Sequence, residues 1–256
     1  MEKQDRIRLY EDAYLADVAD AGFELELIKA RRRLALELLE SRAPGCVLEI
    51  GCGAHPLHQY AAALSASPRR WVIVEPAEAF ADIAQRAEAT GIELEVVRGF
   101  FEDRSDEVAA ACGDGPHLVL CLGVLQSVPD PRAWLELVRA AMPAGAGLLL
   151  TVANALSLHR RLARAMGLIA DEHELSDRDR DGFHHEVLDR ARLRSLVGEA
   201  GFSIEDEGGY FVKPFTHAQM ETMRDVLTPE VLDGLWQVGR EMPDIASEIY
   251  VTAGTG

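Results

Sequence analysis

Two acidic residues and a pair of glycines carry the most chemistry in this chain. The run Glu49-Ile50-Gly51-Cys52-Gly53 closes a short apolar stretch with two glycines one residue apart, and Glu75 follows at the end of the next apolar run. Glycine in a strand-to-helix turn lets a ligand approach the backbone closely, and open α/β sheets bind ligands at the carboxyl ends of their strands. An acid about 20 residues further on is placed to accept hydrogen bonds from ribose hydroxyls. A nicotinamide-binding turn needs glycine three positions after Gly53, where this chain has Pro56. Glu49 argues the same way, because a carboxylate beside the turn repels a pyrophosphate and attracts an amino group. The loop therefore suits an amino-acid-bearing cofactor, with an NAD(P)-dependent Rossmann oxidoreductase as the alternative.

Histidines are the candidate proton carriers. His159 and His173 are the expected catalytic bases, useful if the acceptor is a hydroxyl or a protonated amine. Asn154, His184, Tyr10 and Tyr14 are expected against the substrate, the tyrosines because they lie four apart on one helical face. His184-His185-Glu186 with His173 lacks the helical H-x-x-x-H spacing and a supporting cysteine pair, so no metal site is expected.

The elements that must hold these residues are legible in the apolar pattern. Residues 23–39 repeat apolar side chains at three- and four-residue intervals and predict an amphipathic helix. Five continuous apolar runs, 46–50, 71–75, 94–97, 118–122 and 147–152, predict strands covered on both faces. Helices are expected between them at 57–66, 77–89, 103–111 and 131–142, the last opened by the cap Asp130-Pro131. Such alternation signals a parallel sheet with crossover helices. Beyond it, residues 154–187 form a polar insertion with a short helix around 159–168, followed by a helix at 188–200. A strand is expected from 201 through Gly208-Gly209 toward 215, then helix starts at Thr216…Gln219 and Thr228-Pro229, and a closing strand at 248–252.

With those elements in order, the chain resembles the class I S-adenosylmethionine (SAM) dependent methyltransferases. Glu49-Ile50-Gly51-Cys52-Gly53 is similar to that family's first motif, and Glu75, with Pro76 after it, falls on the ribose-binding acid. Gly99-Phe100-Phe101-Glu102-Asp103 resembles the segment that packs on adenine, which implies contacts from Phe101 and Glu102; the fourth-strand motif implies contacts from Leu122 and Gly123. The turn Pro143-Ala144-Gly145 is similar to the family's entry into strand five. Three positions depart from the pattern: His55 where a third glycine is frequent, His117 where an aspartate is common, and Leu125-Gln126-Ser127 where Leu-Glu-His is frequent. The resemblance implies a seven-stranded α/β sheet of order 3-2-1-4-5-7-6 with strand 7 antiparallel. It also implies SAM as cofactor and S-adenosylhomocysteine (SAH) as product. The expected organisation is an N-terminal helical cap at 1–42 and a methyltransferase domain at 43–256, with 154–187 as a lid-like insertion. A catalytically inactive SAM-binding protein would share these motifs.

Composition narrows the partners. Twenty-six Lys and Arg against 43 Asp and Glu leave a formal charge of -17, which repels phosphate backbones and anionic lipid. A small-molecule substrate is expected, with neither nucleic acid nor membrane as partner, in a monomer or homodimer. The four cysteines form no C-x-x-C pair, and no run reaches the roughly 20 apolar residues of a membrane span, so a cytoplasmic protein is expected.

Overall fold

The computed structural model of the protein describes residues 22–87 and 91–256, together with Ile7 and Glu11. Seven strands form one sheet in the order β3-β2-β1-β4-β5-β7-β6. They are β1 (Cys46–Ile50), β2 (Arg70–Glu75), β3 (Glu93–Arg98), β4 (Leu118–Leu122), β5 (Gly147–Ala153), β6 (Ser203–Tyr210) and β7 (Glu248–Gly254). The first five pair in parallel, while β7 runs antiparallel to both β5 and β6, as the resemblance implies.

Helices cover both faces. On one face α4 (Phe101–Cys112), α5 (Pro131–Ala140) and α8 (Arg190–Glu199) bury Val108, Trp134, Leu135, Leu193 and Leu196 against Leu48, Val72, Val119 and Leu150. On the other, α1 (Glu24–Arg42), α2 (His58–Ala61), α3 (Glu78–Arg86), α9 (His217–Glu221) and α10 (Pro229–Glu241) lie over Val47, Trp71, Ile73, Leu120 and Leu149. Continuous apolar strands such as Gly147–Ala153 follow from this two-sided burial. β3 differs, because it is an edge: Glu93, Glu95 and Arg98 are exposed and blunt it against further pairing.

Caps fix several boundaries as their residues require. Asp130 accepts from Ala133 N at 3.0 Å with Pro131 behind it, and Thr216 and Thr228 cap α9 and α10. Elsewhere the boundaries move. The helix expected at 57–66 closes after Ala61, where the chain tightens into three-residue turns and Glu40 holds the Ser65 backbone N–H at 3.2 Å. α4 begins at Phe101, two residues before expectation. β6 ends at Tyr210 because Phe211 turns to φ +58°. The insertion holds α6 (Leu158–Ala165) and also a five-residue helix, α7 (Asp177–Asp181), capped by a reciprocal Ser176–Asp179 box.

Candidate active site

The glycine turn is built at the carboxyl end of β1. Gly51 adopts φ +73° and Gly53 φ +57°, in the left-handed region that penalises other residues. A Cβ on Gly51 would lie 2.7 Å from Val124 Cγ2, so the loop after β4 closes directly onto this turn. Glu75, at the tip of β2 and 4% exposed, bridges the neighbourhood: Oε2 accepts from Gly53 N at 3.0 Å and Oε1 from Ala77 N at 2.9 Å. Burial raises its pKa, although both amides pull the other way. A carboxylate has about four acceptor sites; these amides use two, and the Cys52 amide and thiol also bear on it. Pro76 beside it is partly buried, and Cys52 Sγ faces Gly53 O at 3.4 Å.

Glu49 is turned the other way. Its Oε2 accepts from Trp71 Nε1 at 2.9 Å and Leu57 N at 3.3 Å, and the side chain sits in the core beneath the turn. Burial pushes its carboxyl up to about 7. Glu49 therefore braces the loop from below through Oε2. Phe101 is corrected: it packs edge-on against Trp134, ring centroids 5.9 Å apart, and is 2% exposed. The early start of α4 turns this ring inward, which leaves the partly buried Phe100 and Glu102, in the first helical turn, at the loop surface. Leu122 is partly buried, and Gly123 turns at φ +75° with its N–H on Thr151 O at 2.9 Å. The left-handed turn at Gly51 and Gly53, the strand-end carboxylate of Glu75 and the unpartnered buried Nε2 of His55 together fit a nucleoside carrying hydroxyls and an amino-acid tail.

Beside this turn the sheet's carboxyl edge carries a second set of charged groups that sequence reasoning missed. The Arg31 guanidinium lies 3.5 Å from where a Gly123 Cβ would stand, and its Nε donates to Glu248 Oε2 at 3.0 Å. Tyr210 also donates its hydroxyl to Glu248. Lys213, 4% exposed, meets His217 Nδ1 at 2.9 Å, and His217 Nε2 meets Glu24 Oε2 at 3.0 Å. Burial alone would raise the Glu24 carboxyl, but His217, Arg31 and Arg178 outweigh it and hold it down at about 2. Burial brings the Lys213 amine down to about 7.

The expected substrate-side residues divide. His159 lies in the first turn of α6 with Nδ1 buried and unpartnered, and burial, with Lys213, Arg160 and His217 nearby, lowers its pKa to about 2. Burial thus favours its neutral form, with Nδ1 left without a partner. His173 is on the surface with both ring nitrogens occupied, by Asp171 at 3.1 Å and Asp189 at 3.2 Å, which removes it as a base. Asn154 spends its amide on backbone: Nδ2 donates to Ala246 O at 2.8 Å and Oδ1 accepts from Leu156 N at 2.9 Å, so it pins the insertion and does not reach a substrate. His184 Nδ1 meets Asp179 Oδ1 at 3.2 Å, beside the Arg160–Asp179 ion pair. Tyr10 and Tyr14 lie outside the described residues. Glu11, one of the described N-terminal residues, accepts from Ala79 N at the start of α3. His117 fills a structural place, its Nδ1 accepting from Gly45 N at 3.0 Å. Among the described residues no cluster of three His, Cys, Asp or Glu side chains is placed to hold a metal, and no helix is long and apolar enough to cross a membrane.

With this geometry in view, comparisons with known proteins agree. The model of a methyltransferase domain family matches residues 21–207. The chain is 24% identical over 201 residues to the ubiquinone biosynthesis O-methyltransferase of Xanthomonas axonopodis pv. citri (strain 306), covering 77% of this chain and 80% of that one. The plantazolicin methyltransferase BamL, solved with a triazolic desmethylPZN analog and SAH, shares its fold at TM-score 0.62 and 12% identity, over 99% of this chain and 98% of its own. An S-adenosylmethionine dependent methyltransferase from Mesorhizobium loti does so at TM-score 0.55 and 16% identity, over 88% and 97%.

Proposed function

The chain belongs to the methyltransferase domain family, and from that premise we propose that it moves a methyl group from SAM to an oxygen or nitrogen atom of a small-molecule metabolite. The observation that carries this reading is the Gly51–Gly53 turn bridged by Glu75 at the carboxyl edge of the sheet. In the proposed complex Glu75 accepts from the ribose hydroxyls, the backbone around Gly51 and Gly53 admits the amino-acid tail, and Glu102 and Gly123 border the adenine side.

SAM supplies an activated methyl on a neutral leaving group, so the protein's task is to bind, orient and exclude water. The segment 1–42 serves as a cap, supported by the contact of Glu11 with the start of α3 and by Glu24 and Arg31 on α1. The insertion 154–187 forms a wall of the acceptor site, with His184 on it. The charge of -17 favours a small metabolite over a polyanion, acting in the cytoplasm on a monomeric or homodimeric enzyme. Mass spectrometry of the purified chain tests the reading. Co-purified SAM or SAH, and transfer of labelled methyl to a member of a metabolite panel, are the expected results; neither appearing contradicts it.

A further inference from the structure

Glu24, His217 and Lys213 come from three separate elements and meet in one chain of contacts. Glu24 opens α1, whose far end leads into the amino end of β1, so Glu24 stands at the carboxyl edge of the sheet. Lys213 follows β6, which runs in the same direction as β5, and His159 follows β5. Arg31 lies seven residues beyond Glu24, two turns or about 10 Å along α1, and touches Gly123 at the end of β4. The three-residue chain therefore stands at the same edge of the sheet as the glycine turn, and the charge of Glu24 is felt by His55 after that turn.

Its hydrogen-bond directions follow from chemistry. An ionised carboxylate only accepts, so His217 Nε2 carries a hydrogen toward Glu24, and Nδ1 presents a lone pair to the Lys213 amine. Each neighbouring carboxylate already has a guanidinium: Glu24 with Arg178 at 3.0 Å, Asp179 with Arg160 at 3.2 Å, and Glu248 with Arg31. Lys213, buried at 4% exposure, has no carboxylate in bonding contact among the described residues. A buried ammonium with no carboxylate in direct contact is costly. Although Glu24, Glu248 and Asp179 act on it from further off, burial outweighs them, so the site favours the neutral amine or an arriving anion.

We propose that Lys213 is the catalytic base of the acceptor site, positioned by His217 and Glu24, and that the acceptor carries an acidic hydroxyl of the phenol or enol class. This rests on the methyltransferase reading above. The acceptor O–H gives its proton to the lone pair on Lys213 Nζ, leaving an oxyanion against an ammonium. The oxygen then bonds the methyl carbon as the donor's carbon–sulfur bond breaks, its electron pair staying on sulfur. The positive charge lost by the sulfonium reappears on Lys213, whose proton leaves to solvent through His217 after product release. Burial sets the amine's basicity at about 7. Taking a proton from a phenol near 10 then costs about three powers of ten, whereas a water-like aliphatic hydroxyl near about 16 would cost about nine. The unpartnered Nδ1 of His159 offers a second polar contact to the acceptor.

The test uses the full chain with SAH and 4-nitrophenol, whose ionised form absorbs visible light. Calorimetry with SAH comes first, and absence of binding overturns the methyltransferase reading and the base assignment with it. With SAH bound, the wild-type protein is expected to raise the phenolate band at a pH where free 4-nitrophenol is largely protonated. Lys213→Met is expected to abolish the band with SAH affinity unchanged, and Glu24→Gln to weaken it. SAH binding with no phenolate band, or a band of equal strength in Lys213→Met, overturns the base assignment alone. If Lys213→Met does not fold, acetic anhydride labelling of the wild type decides. Labelling of the Lys213 amine with SAH alone that 4-nitrophenol suppresses supports the assignment; no labelling with SAH alone, or labelling that 4-nitrophenol leaves unimpeded, overturns it.

Discussion

Glu75 performs two tasks with one carboxylate, and the tasks separate on mutation. Glu75→Ala leaves Gly53 N and Ala77 N without their acceptor, at a cost of roughly 1–3 kcal/mol for each buried donor left unpaired, so the unfolding midpoint is expected to fall. It also removes the proposed ribose contacts, and charged hydrogen bonds contribute roughly 1.5–3 kcal/mol each, so titration calorimetry should show SAM affinity lowered at least tenfold. Unchanged affinity would remove Glu75 from the cofactor site. Glu49 makes a pH prediction. Its carboxyl is about 7 in the fold against 4.5 ordinarily, because burial penalises its charge. A raised carboxyl contributes stability below pH 4.5 that is lost as pH rises through about 7. Glu49→Gln cannot titrate, so its denaturant midpoint should decline less than the wild type's between those pH values; parallel curves would contradict the assignment. At this scale the sequence showed Gly51, Gly53 and Glu75 clearly, since turn glycines and a strand-end acid have fixed spacing. Lys213, Glu24, Arg31 and Glu248 were missed because nothing local marks a charged residue as buried. The apolar neighbours of Lys213, Phe211 and Val212, were the available signal.

Among the elements, α10 carries the test of how Lys213 is placed. Gly239 on that helix presses on the turn after β6, where a Cβ would come within 2.1 Å of Phe211 N. Alanine gains about 1 kcal/mol over glycine in a helix interior, yet a backbone overlap of this size cannot be relieved by a rotamer. Gly239→Ala is therefore expected to destabilise the fold in urea by more than that gain. Gly234→Ala, with nothing within 4 Å of its Cβ, is expected to stabilise it by up to about 1 kcal/mol. Equal effects at the two positions would show that α10 does not press on this turn. Strands were the most legible elements, because burial on both faces writes itself as a continuous apolar run. The short helix α7 escaped because Asp177-Arg178-Asp179-Arg180-Asp181 has no apolar face, although Ser176 and Asp179 carried its capping signature. The helix at 57–66 was overestimated because tertiary contacts, not propensity, decide where an alanine-rich segment stops.

For the molecule as a whole, the sheet order and the antiparallel β7 follow from the family resemblance, and apolar periodicity alone did not dictate them. That order brings the ends of β1, β2, β4, β5 and β6 to one edge, where the glycine turn meets the Arg31–Glu248 and Lys213–His217–Glu24 groups. The two histidines expected as bases lie in the insertion, one neutral and one on the surface, because position along the chain says little about which way a polar loop turns. The family match and the Glu75 bridge make this edge a SAM site and not a dinucleotide site. Titration calorimetry of the full chain with SAM, and separately with NAD, tests it most directly. Saturable binding of SAM that is weakened by Glu75→Ala, with no heat from NAD, is the predicted result; binding of NAD with no response to SAM would contradict it.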